Sequence, residues 1–201
     1  MAFISLPTAP LPQSANPMPL DYGSWQDPDM GGPSFRLDRP GSRFAMAIVM
    51  PRMKPEPLGR LWVARLLAAV GSVVRMPFPQ VGFGIGFPGA PQVDGGGQAG
   101  TSLSLKGLAR GYVIREGQFF NLSDAAGRAY LYATQGGDVV ADAAGKATLS
   151  IWPMRLMAPA DGSAANFAAP VIEGKLTGGE SGWTLERAGT RGLQFTITEV
   201  R

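Results

Sequence analysis

Histidine and cysteine are both absent from the 201 residues. Without cysteine there is no disulfide and no thiolate nucleophile, so the fold stands on packing alone. Without histidine, Ser-His-Asp and Cys-His systems, two-histidine zinc sites and imidazole acid/base catalysis are excluded, because imidazole is the usual general base near neutral pH. Paired carboxylates, lysine or tyrosine chemistry and a magnesium site are what remain for an enzyme. Charge is also sparse: 16% of the residues carry one, with a formal net charge of +3. No run approaches the ~20 apolar residues of a membrane helix. The opening MAFISLPTAPLP lacks a basic start and a sustained apolar segment, so a soluble protein without membrane insertion is expected.

What is abundant is glycine and proline, 28 and 18 residues, in a chain that is 45% hydrophobic. That balance predicts a mainly β fold of short strands and many turns. A chain of this length buries roughly 70% of its unfolded surface, enough for a real core. The glycines include Gly84-x-Gly86-x-x-Gly89, the spacing of a dinucleotide-binding loop. Such a loop must lead into a helix whose free amides meet the pyrophosphate, and Pro88, Pro91 and VDGGGQAG exclude a helix there. No cofactor and no metal site is expected.

Residues 1–33 hold seven prolines (Pro7, Pro10, Pro12, Pro17, Pro19, Pro28 and Pro33), which predicts an extended arm. Its apolar residues, Tyr22 and Trp25 among them, are too many for a solvated linker, so the arm is expected to lie on its own domain or on a neighbouring subunit. Residues 34–201 then form a single β-sandwich domain. FRLD, a turn at Arg39–Ser42 and FAMAIVM read as a hairpin whose second strand is central, being apolar on both faces. A flanking helix is predicted over about 56–70, with prolines in its first turn, apolar residues at three- and four-residue spacing and a stop at Gly71. Residues 73–78 return as a strand, and residues 82–100, with eight glycines, read as a long irregular loop.

The second half uses one device twice. DAAGR (124–128) and DAAGK (142–146) each begin with an Asp that bonds its own backbone and end near a glycine of positive φ, the chemistry of a tight turn. Neither has the alternating acidic ligands of a calcium loop. Strand-like segments surround them at short intervals: TSLSLKGL, GQFFNL, AYLYAT, ATLSIW, WTLER and LQFTITEV. That spacing predicts a sandwich or barrel. Asp138 and Asp142 are candidate paired carboxylates for glycan hydrolysis, and turn chemistry accounts for them as well. Trp152 and Trp183 sit in strand patterns and read as core or interface residues.

Eight basic residues (Arg36, Arg39, Arg43, Arg52, Lys54, Arg60, Arg65 and Arg75) face only Asp38 and Glu56 between positions 36 and 75. They read as a nucleic-acid face, or as solvated or intersubunit arginines.

The order GGGQAGTSLSLKGL (95–108), REGQFFNL (115–122), a strand, DVVADAAGKATLSIWPMRL (138–156) and a Pro170-led strand resembles the distal tail proteins at the tail tip of long non-contractile-tailed bacteriophages. The resemblance covers about residues 95–175. Relatives often read Pro-Pro-Leu-Arg where this chain has Trp152-Pro153-Met154-Arg155. It implies a tail-tube-like β-sandwich with one flanking helix, assembled as a sixfold ring. The ring would join the tail tube on one side to hub and tip proteins on the other. It also implies a virion protein assembled in the bacterial cytoplasm, with DNA passing its lumen and no catalysis. On that reading Phe83, Ile85, Phe87, Trp25 and Tyr22 are candidate assembly contacts, since glycines let the loop approach a neighbouring backbone closely. Arg36, Arg39, Arg43 and Arg52 are candidates for the lumen or for a subunit contact. A tail-tube protein, a carbohydrate-binding sandwich for host attachment and a glycan-degrading enzyme are the alternatives.

Overall fold

The computed structural model describes residues 3–177, 183–186 and 189–200. The first half contributes strands β1 (Phe3–Ser5), β2 (Ser14–Leu20), β3 (Ser24–Gln26), β4 (Phe35–Leu37) and β5 (Arg43–Val49), helix α1 (Arg60–Ala69), then β6 (Val73–Pro77) and β7 (Gly89–Val93). The middle adds β8 (Ser102–Leu108), β9 (Val113–Ile114), β10 (Phe119–Ser123), β11 (Ala129–Gln135), β12 (Val139–Val140) and β13 (Ala147–Trp152). The last part holds β14 (Ala165–Asn166), β15 (Val171–Thr177), β16 (Thr184–Glu186), β17 (Gly189–Arg191) and β18 (Gln194–Glu199). The fold is mainly β with one α-helix, as the composition and turn spacing predict.

Two six-stranded sheets carry the architecture. An open sheet has the order β1-β6-β15-β18-β5-β2, and a curled sheet the order β14-β10-β11-β13-β8-β7. The edges of the curled sheet meet at a bridge between Gln92 and Ala164, so its inner face wraps a core of its own. Alternation puts Leu103 and Leu105, Leu149 and Ile151, and Phe120 and Leu122 on that inner face, where Phe167 stacks on Phe120 with centroids 4.4 Å apart. The outer face presents Phe119, Leu131, Ala133 and Trp152 to the open sheet. Phe44 of β5 meets Phe119 at 5.5 Å and Trp152 at 4.8 Å, both edge-on.

The open sheet therefore has one inner face and two covers. At the start of β5, around Phe44 and Met46, the cover is the wall of the curled sheet. At its end, around Ile48 and Phe195, the cover is α1, whose Trp62 lies 6.1 Å from the Phe195 ring and donates its indole N–H to the Ala9 carbonyl at 3.0 Å.

Three buried polar groups bind the sheets to each other. Glu199, 1% exposed, accepts the Phe44 amide at 2.8 Å and the Leu131 amide at 2.8 Å. Asn121 accepts the Val171 amide and donates to the Val171 carbonyl at 2.8 Å. Glu173 pairs with Arg75 and accepts the Ala129 amide at 3.2 Å.

The structure also departs from the sequence reading. The proline-rich start lies in the open sheet: β1 runs parallel to β6 and β2 antiparallel to β5. Pro17 and Pro19 sit two apart in β2, so the missing N–H groups fall on one side, and an edge strand is the place that tolerates this. The FRL segment does not pair with β5. It is β4, and it pairs with β3. The regular helix runs Arg60–Ala69, and the predicted start at Glu56 is not reached because that residue precedes a proline and takes extended φ and ψ of −120° and 132°, a kink within the turn Pro55–Gly59. Within residues 82–100, Gly89–Val93 is a strand. Gly89 and Gly107 make it possible: both have positive φ, and a Cβ on Gly107 would lie 2.5 Å from the Ala90 carbonyl oxygen. Both Asp turns form as read. Asp124 accepts the Ala126 and Arg128 amides, Asp142 those of Ala144 and Lys146, with Gly127 and Gly145 at positive φ. Of the strand read at 183–187, Arg187 lies outside the described residues, as do Met1, Ala2 and Arg201.

Candidate functional site

Between β2 and β5 the chain leaves the open sheet and returns, forming the β3–β4 hairpin. Two strands alone bury little, and here they display large apolar side chains: Trp25 is 62% exposed, Phe35 63% and Met30 99%. Trp25 stands on one face of the hairpin, beside Arg36, and Phe35 on the other, with Leu37. Singly exposed apolar residues are ordinary, but apolar side chains on both faces of one projecting element mark a contact surface.

The base of the hairpin is held by charge. Asp21 accepts the Gly23 amide at 2.9 Å and the Ser42 hydroxyl at 3.0 Å, and pairs with Arg36. Arg36 also reaches Asp38 at 2.7 Å, and its guanidinium stands 5.7 Å from the Trp25 ring. The Gly23 amide, then Arg36, then Ser42 hold the Asp21 carboxyl at a pKa of about 2, below its ordinary 3.8. The same pair pushes the Arg36 guanidinium up. Arg43 lies 5.1 Å from the Tyr22 ring and donates to the Glu199 carbonyl at 3.2 Å.

A second feature lies past the other end of β5. The exposed side of α1 and Trp183, with Pro55 and Thr190, line an apolar groove of about 510 Å³. Thr190, which lines it, bridges Met53. Glu56 and Arg60 pair on the lip at 2.7 Å, and the arginine holds the Glu56 carboxyl down.

The sequence candidates separate accordingly. Tyr22, Trp25 and Arg36 come together on the hairpin, with Arg43 at its base. Arg39 is exposed in the turn that follows, and Arg52 is exposed at the far end of β5 against Gly189. The basic residues of 36–75 thus lie near the hairpin, past the far end of β5 and, for Arg75, on β6, and do not form one face. Arg75 is taken up by Glu173. The glycine loop is tethered to the body: Tyr112 donates to the Ile85 carbonyl at 2.8 Å, and Gln80 accepts the Phe119 amide at 2.9 Å. Phe83 and Ile85 are half-buried there, whereas Phe87 is 78% exposed. Asp138 accepts the Glu116 amide at 2.8 Å, so it caps a turn as Asp142 does. Trp152 and Trp183 are both half-buried against the core.

Sequence reasoning missed Met30, Phe35 and the α1 groove. In the sequence Phe35 reads as part of a strand beside β5, and the outward residues of an amphipathic helix give no sign that a second wall stands next to them. In comparisons with known proteins, no family model and no curated sequence matches the chain.

Proposed function

We propose that this chain is a structural virion protein that forms a homo-oligomeric ring at the distal end of a phage tail, between the tail tube and the hub. The observation that carries the proposal is the β3–β4 hairpin, with Trp25, Met30 and Phe35 on an element that nothing else in the described chain covers. Trp25 and Phe35 lie on opposite faces of the hairpin. Covering both faces removes on the order of 200 Å² of apolar surface from water, about 5 kcal/mol before the cost of association. A ring of identical subunits supplies such a cover repeatedly. The proposed place in the virion rests on the resemblance over residues 95–175, and a mainly β fold with one helix is compatible with it. Exposed Phe87 offers a second contact to a neighbour.

The test is the mass of the purified chain across a concentration series, with negative-stain images of the same sample. Closed rings of uniform size are the expected result. Open filaments would move the role to the tail tube, and specific binding of a host polysaccharide by a monomer would replace the ring with host attachment.

A further inference from the structure

We draw no further inference here: the strongest candidate, the apolar groove between the exposed side of α1 and Trp183, is an unpartnered face, and nothing in the structure shows what covers it.

Discussion

At the scale of single residues, the polar groups that matter are the ones with assigned backbone partners. Asp21 has a depressed pKa, so the hairpin contacts it makes are fully present above 3.8 and are lost as pH falls through about 2. The Gly23 amide resonance is expected to shift with a midpoint near 2 in an NMR titration, and Asp21→Asn should abolish that step. Glu199 lies deeper. Glu199→Ala strands the Phe44 and Leu131 amides in a buried seam, and a loss of about 2–4 kcal/mol is expected by urea denaturation. Neither role was legible in the sequence. A carboxylate near the end of LQFTITEV looks like any solvated strand terminus until the curled sheet is laid across it.

At the scale of elements, the turns and alternating strands were legible because their causes are local. An Asp that caps its own turn, a glycine at positive φ and a period of two need no information from elsewhere in the chain. Strand partners are another matter. The FRL segment carries the composition of a strand without any indication that β3, and not β5, receives it. The proline-rich start shows the same limit: its extended conformation follows from proline, but its place at the edge of the open sheet follows from the partner that β5 offers. That placement has a consequence. Pro17 and Pro19 deny donors to any strand approaching from outside, which protects the edge. Replacing both with Val should restore the donors and produce concentration-dependent aggregation, measured by light scattering, while the far-ultraviolet circular dichroism stays that of a β protein. Gly107→Ala should act inside the fold, costing about 2 kcal/mol or more in thermal unfolding. Its Cβ would collide with the Ala90 carbonyl oxygen, and its positive φ strains any other residue.

At the scale of the whole molecule, the two sheets share one core. Leu131 is fully buried on the outer face of the curled sheet, within the cluster formed by the open sheet and α1. Leu131→Ala should cost about 3 kcal/mol, and near- and far-ultraviolet signals should still melt together, because loss at this seam loosens both sheets at once. Separate transitions would show that the sheets are independent domains. The sequence by itself determined the mainly β class, the single helix, the Asp turns and the exclusion of histidine and cysteine chemistry, since each follows from residue type and short-range spacing. Only the tertiary structure decided that the aromatic hairpin is uncovered among the described residues, that the arginines scatter instead of forming one face, and that Glu199, Asn121 and Glu173 join the sheets. Those are contacts between residues far apart in the chain, set by which surfaces meet when apolar faces are buried, and no local pattern encodes them.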